Sequence, residues 1–249
     1  MQLATLQEYP QKNAISSLSV ITSQCKGCPQ HNSCLSSELN NQELITYNSI
    51  AKQSIKLNRG EYLYRSGDIF DTIFMIRSGS LKTSIIDEEG REQILSFSMQ
   101  GDIVGLDGLF LNSHVTETKA LEPSYICGIS VRQYLNLAAQ TPVLIKNLLN
   151  KMSARIIEEE EHSLMLGTKN ADQRLASFLL NLAKHNSEHE FPNHDLTLHM
   201  SRRDIGNYLS AAVETVSRIF SRLQEQKLIK VHGKHIHIMD RQGLERNTF

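Results

Sequence analysis

The chain of 249 residues has no long apolar run, almost no net charge and few cysteines. No stretch reaches the roughly 18 consecutive apolar residues of a membrane span, so no transmembrane helix is expected. The first ten residues carry neither a basic n-region nor an apolar h-region, which argues against a secretory leader. The formal charge is −1, with 26 Lys and Arg against 27 Asp and Glu. Nothing global therefore announces a nucleic-acid binder, and any such surface must be a local patch. Apolar residues make up 40% and charged residues 21% of the chain. Those values suit a soluble globular protein with room for one large domain or two modest ones. A cytoplasmic location is expected, and cysteines there are more often ligands or catalytic groups than disulfides.

What is present is concentrated. Three of the four cysteines, Cys25, Cys28 and Cys34, fall within ten residues, and Cys127 stands far along the chain. Four thiols make a soft donor set that suits a metal or an iron–sulfur cluster. Gly27 and Pro29 keep the loop irregular, as a loop wrapped around a ligand must be. Structural zinc is the plainer alternative, because C-x₂-C is also a zinc spacing, although zinc sites usually pair two such units. A redox-switched disulfide is a further reading. His31 lies inside the loop, as a solvated histidine or as an additional ligand.

Residues 1–24 read as a flexible polar arm, and residues 40–50 as a short amphipathic helix. From about Ile55 to Ile129 the texture changes. Eight of the thirteen glycines fall there, between short apolar runs at 62–64, 73–76, 81–86, 93–97 and 125–129. Such spacing predicts an antiparallel barrel or roll, with Asp87-Glu88-Glu89-Gly90 as a hairpin tip.

At Thr141-Pro142 the pattern turns helical, with Thr141 as N-cap and Pro142 at the first helical position. Ile145, Leu148, Leu149, Met152, Ile156 and Leu166 lie on one side in a roughly heptad rhythm. A helix of about 25 residues projecting from a roll predicts a parallel homodimer. Glu159 falls where a seam residue would be. It either belongs to a solvated acidic face or confronts its own copy and builds repulsion into the dimer. Residues 167–170 read as a hinge, 171–184 as a second amphipathic helix and 185–195 as polar loop. The predicted divisions are the arm at 1–24, the cysteine loop and roll at 25–139, the dimerisation helix at 140–167 and a DNA-binding unit at 168–249.

That last unit is predicted from its own pattern. A short strand at 196–200 precedes a helix capped by Ser201 and Asp204. A tight turn at Ser210 follows, then a helix over 212–226 and a hairpin at 228–238. The order is that of a winged helix-turn-helix, whose second helix enters the major groove. Glu214, Ser217 and Arg218 share one face near that helix's start, and Val213, Val216, Ile219 and Phe220 point to the core. Arg suits guanine O6 and N7, Glu accepts from cytosine N4, and Ser serves either base or a thymine edge. Residues 196–239 hold seven basic against three acidic side chains, a local +4 that the near-neutral total conceals. The alternative is an ordinary helical subdomain in which Glu214 and Arg218 pair with each other. The cysteines thus read as a sensor, and the rest of the chain as what converts sensing into DNA binding.

The whole resembles the CRP/FNR family of bacterial transcription regulators, and within it the branch of oxygen-responsive fumarate and nitrate reduction regulators. The likeness is carried by the cysteine spacing, Gly60-Glu-Tyr-Leu-Tyr with Ser66-Gly-Asp68, and Ile76-Arg-Ser-Gly79 with Leu81-Lys82. Gly101-Asp-Ile-Val-Gly105, Asp204-Ile-Gly-Asn-Tyr-Leu209 and Val213-Glu-Thr-Val-Ser-Arg218 complete it. It implies an α+β fold with an amino-terminal antiparallel β-roll like that of cyclic-nucleotide-binding domains, a long dimerisation helix and a carboxy-terminal winged helix-turn-helix. It implies a non-enzymatic regulator with an oxygen-labile [4Fe–4S] cluster on Cys25, Cys28, Cys34 and Cys127. The cluster-bearing form would dimerise and bind DNA to activate or repress anaerobic genes, and oxygen would destroy the cluster and release the dimer. Glu214, Ser217 and Arg218 match positions reading a TTGAT-type half-site, two of which form a palindrome, and Ile156 and Glu159 match positions tuning the dimer helix. The tip at Glu89, Gly90 and Arg91 resembles a contact with RNA polymerase. Where a cyclic-AMP-binding relative holds the phosphate with an Arg-Ser pair, this chain has His114-Val115, so cyclic AMP is not expected as effector. Two departures stand out: Pro29 directly after Cys28, which removes an N–H near the sulfurs, and a basic Arg91 on the tip. A redox enzyme lacks a second cofactor motif and a substrate constellation here. A regulator whose roll binds a small molecule is the remaining alternative.

Overall fold

The computed structural model describes residues 25–51, 53–188 and 194–248. The arm predicted at 1–24 lies outside them. After the cysteine loop, helix α1 (Asn41–Ile50) starts on a reciprocal cap. The Asn40 side chain accepts from the N–H groups of Gln42 and Glu43, and the Glu43 carboxylate accepts from the N–H of Asn40. The helix buries Leu44 and Tyr47.

Eight strands follow: β1 (Gln53–Leu57), β2 (Tyr62–Tyr64), β3 (Thr72–Ser78), β4 (Ser80–Ile86), β5 (Glu92–Met99), β6 (Ile103–Val104), β7 (Glu117–Ala120) and β8 (Ser124–Ser130). They form two four-stranded antiparallel sheets, ordered β1-β8-β3-β6 and β2-β7-β4-β5. This is the predicted roll. Its interior is filled by Leu57, Tyr64, Ile76, Leu81, Ile126 and their neighbours. Gly79 makes the turn between β3 and β4 at φ +92°, and a side chain there would press to 2.8 Å from the Ser124 backbone. Strand β4 departs from simple alternation, for Lys82 and Ser84 on its outer face are as buried as Leu81 on its inner one. A second layer covers that face.

Helix α2 (Val131–Ala138) stands between β8 and the long helix α3 (Pro142–Thr168) and was not foreseen. Its buried Tyr134 donates to the Leu144 carbonyl at 2.7 Å, which pins α2 to the start of α3. Pro142 occupies the predicted first position, but Thr141 makes no side-chain cap. The backbone N–H of Thr141 turns back to the Leu137 carbonyl instead. The break expected at 167–170 is shorter, because α3 runs through Thr168 and α4 (Ala171–Glu188) follows. Helix α4 also takes up part of the segment read as polar loop.

The remaining elements are β9 (Asp195–Thr197), α5 (Arg202–Tyr208), α6 (Val213–Glu225), β10 (Ile229–His232), β11 (His235–Ile238) and α7 (Arg241–Arg246). The three strands form one sheet ordered β10-β11-β9. Leu175, Leu179, Ile205, Ile219 and Ile236 build the core of this unit, and Leu121, from the loop between β7 and β8 of the roll, inserts into it. Burying one leucine contributes about 1.5–3 kcal/mol.

Candidate functional site

The first candidate site is the cysteine loop. Its backbone is a chain of tight turns, with the N–H of Cys28 to the Cys25 carbonyl at 3.0 Å and the N–H of His31 to the Cys28 carbonyl at 3.0 Å. Asn48 of α1 accepts from the Cys25 N–H at 2.9 Å. Cys127 lies mid-strand on β8, between Ser54 of β1 and Met75 of β3. Cys25, Cys34 and Cys127 pack against one apolar cluster with Leu35, Tyr47, Tyr134 and Leu144. All four cysteines are free thiols, each partly buried.

The thiols feel one another. Burial first, then the neighbouring Cys34 and Cys28, push Cys25 up to about 12. Burial, then Cys34 and Cys25, push Cys127 up to about 12, and Arg77 opposes both shifts. Negative charge on Cys25 or Cys127 is thus disfavoured without a cation. Two polar atoms nearby, His31 Nδ1 and Ser36 Oγ, are buried without a hydrogen-bond partner. Among the described residues no three His, Cys, Asp or Glu side chains stand at the spacing of a single metal ion's ligands.

The loop is tied to α3 by a residue that sequence reasoning missed. Asn147, 6% exposed, donates to the carbonyls of Leu35 at 3.1 Å and Ser37 at 2.8 Å, directly after Cys34. Lys146 adds an exposed pair with Glu38. On the opposite side of α3, Ile145, Leu149 and Ile156 are exposed. Leu148, placed with them by the heptad rhythm, instead faces the roll and is buried. Leu148 and Leu149 are consecutive and stand about 100° apart around the helix, so a stripe drawn through both spans the edge between the buried and the exposed face. Glu159 is paired with Arg155 four residues before it, and Arg155 also bonds Glu158 at 3.1 Å.

The second candidate site is the helix pair α5–α6. Ser201 and Asp204 make the predicted cap reciprocally. Gly206 lets the turn close, since a Cβ there would meet the Ala211 carbonyl at 2.6 Å. Ser210 takes φ +49° between the two helices. On α6, Val216, Ile219, Phe220 and Leu223 are buried. Glu214, Ser217 and Arg218 are all exposed on the other face. Val213, assigned to the core, is 38% exposed in the first turn. Arg218 donates to Thr215 Oγ1 at 3.2 Å, and no Glu214–Arg218 ion pair occurs among the described residues. The basic patch is smaller than its count. Arg222 is paired with Asp172, and Arg202 lies over the Phe220 ring at 3.3 Å.

Two further predicted positions sit elsewhere. Glu89, Gly90 and Arg91 form the exposed β4–β5 tip, where Arg91 is neutralised by Asp87 at 2.7 Å and by Glu89. His114 is buried, stacked on Tyr64 at 3.8 Å, with Nδ1 3.0 Å from Asp107. Asp107 also accepts from the N–H groups of Val115 and Thr116 and from the Thr116 hydroxyl. Burial works against ionising Asp107, yet these bonds prevail and hold it down at about 2.

A sensor-sized roll, a long helix with an exposed apolar row and a winged helix-turn-helix define a regulator that binds DNA. The comparisons agree. Residues 54–141 match the cyclic nucleotide-binding domain and residues 173–247 the Crp-like helix-turn-helix domain. The chain belongs to the CRP/FNR family and is a DNA-binding transcription regulator of the FNR kind, not an enzyme. It is 40% identical to the transcriptional activator protein Anr of Pseudomonas protegens over 216 residues, 87% of this chain and 88% of that one. It is 38% identical to the electron transport regulator A of Shewanella oneidensis, covering 94% and 93%, and 36% identical to the fumarate and nitrate reduction regulatory protein of Vibrio cholerae, covering 87% and 86%. Among solved structures, FixK2 from Bradyrhizobium japonicum superposes with a TM-score of 0.73 at 26% identity, over 79% of this chain and 97% of that one.

Proposed function

We propose that the chain is an oxygen-responsive regulator of anaerobic genes. In this reading Cys25, Cys28, Cys34 and Cys127 hold a [4Fe–4S] cluster. The observation that carries it is that the loop lies against β8, so that Cys25, Cys34 and Cys127, as free thiols, pack on one apolar cluster beside α3, with Cys28 near enough to act on Cys25. The donor set fits: four soft ligands, of which Cys25 and Cys127 are held by burial against ionising without a cation, with unmet polar atoms at hand. Thiols around a four-iron cluster stand farther apart than the ligands of one ion, so the lack of single-ion spacing is compatible with this set. When bound, the cluster supplies an oxygen-labile cross-link between the loop and β8.

The chain's own residues supply the transmission. Asn147 holds the segment after Cys34 to α3, so a displacement of the loop reaches the helix through its two hydrogen bonds. The exposed row of Ile145, Leu149 and Ile156 then serves as the dimer seam. Glu159 adds repulsion at the seam that Arg155 moderates. In the dimer, Glu214, Ser217 and Arg218 read TTGAT-type half-sites of a palindrome. The tip at Glu89, Gly90 and Arg91 meets RNA polymerase, as a contact with little net charge. Cyclic AMP is not the effector. The buried His114 ring lies against the Gly105 turn and is bonded to Asp107, so that position carries no arginine to hold a cyclic phosphate. The protein works in the cytoplasm.

The test is iron and sulfide content with anaerobic optical spectra, followed by DNA binding before and after air. Iron and sulfide near four each per chain, with palindrome binding lost in air, is the expected result. Zinc or no metal, with equal binding in air, would overturn the reading.

A further inference from the structure

Helix α5 does not touch the roll casually. The outermost strand of one roll sheet is β5, whose outer edge offers unpaired backbone groups. The Asn207 side chain fills that edge. Its Oδ1 accepts from the Ile94 N–H at 2.6 Å, and its Nδ2 donates to the Glu92 carbonyl at 2.7 Å. A carboxamide thus takes the place of a neighbouring strand's peptide group. Gln93 Nε2 returns a bond to the Asn207 carbonyl at 3.2 Å.

One turn away, Lys82 Nζ lies 2.7 Å from the Glu92 carboxylate and 3.0 Å from that of Asp204. The Lys82 side chain is 11% exposed, and Asp204 is also the acid of the α5 cap. Tyr208 closes the contact, stacked on His162 of α3 at 4.0 Å and 5.2 Å from the ring of Phe97. Helix α5 is therefore fixed to the roll at one side and to the dimer helix at the other. The tight turn at Gly206 passes that orientation to α6.

We infer that Lys82 and Asn207 are positioning residues that set the angle of α6 against the dimer helix, and so the half-site spacing the dimer accepts. Two reading helices must meet grooves one helical turn apart, so an angular error at either is an error in spacing. This rests on the proposed reading of a two-half-site palindrome.

The experiment measures anaerobic binding of the holo dimer to palindromes with the best spacer and with spacers one base pair longer or shorter. The chains are wild type, Asn207→Ala, Lys82→Met and Lys82→Arg. Asn207→Ala and Lys82→Met should lose about tenfold on the best spacer and less than about twofold on the altered ones, so the spacing preference weakens. Lys82→Arg should keep the wild-type preference. A variant that merely folds poorly would lose affinity for all three DNAs alike, and that result, or an unchanged preference, overturns the inference. A wild type that binds no palindrome would instead defeat the reading on which it rests.

Discussion

The cysteine loop and the reading helices are built in opposite ways. The loop has tight turns, one bond from Asn48, two from Asn147, three thiols facing a fourth on β8 and two unsatisfied polar atoms. The α5–α6 pair has a reciprocal cap, a glycine-closed turn, a filled core and the edge-strand contact at Asn207. The reader is complete from its own chain. The loop is not, and its chemistry asks for a further component. A protein arranged so keeps its output surface ready and makes its input conditional.

The comparison is broken most severely at the thiols. Cys34→Ser should abolish iron binding and lower anaerobic DNA affinity more than tenfold, while circular dichroism keeps the fold; iron assay and DNA titration check this. At the other site, Arg218→Ala should cost about 1–3 kcal/mol on the palindrome and relax discrimination at one base pair, leaving iron content unchanged. Between them, Asn147→Leu leaves two loop carbonyls without donors. It should cost about 1–2 kcal/mol of stability, and the dimer fraction should respond less to air; sedimentation at equal cluster content measures it.

Smaller effects sharpen the contrast. The Asp107 carboxyl is held below its ordinary value of 3.8, at about 2. Its contribution is therefore complete above about pH 4 and lost as pH falls toward 2. Stability measured across that window should fall more steeply in wild type than in Asp107→Asn, with little difference between them in slope near neutrality. The smallest expected change is kinetic. Pro29→Ser restores an N–H beside Cys28 and should alter the rate of cluster loss in air, and equal rates would remove Pro29 from the account.

The reader was legible because its signals are local: Ser201 and Asp204 are three residues apart, and the buried face of α6 repeats at helical spacing. The roll was legible in kind, through glycines between short apolar runs. Strands β1, β6 and β7 and helix α2 escaped because none has a strong pattern of its own, and each is settled by what it packs against. Leu148 was placed with its exposed neighbour Leu149, and Val213, although in phase with buried Val216 and Phe220, is left exposed because it opens the helix. The contacts that join the parts, Asn147 to Leu35 and Asn207 to Ile94, link positions more than a hundred residues apart. No spacing rule announces such pairs, and a lysine on a strand reads as solvated until the helix that buries it is in place. The four cysteines lay between these cases: their chemistry was plain, and the approach of the loop to Cys127 needed the fold.

Amide hydrogen exchange on one anaerobic sample, before and after air, tests the division between conditional input and preformed output most directly. Protection should fall in residues 25–38 and along the exposed face of α3, with α5 and α6 unchanged. An equal loss of protection in α5 and α6 would contradict it.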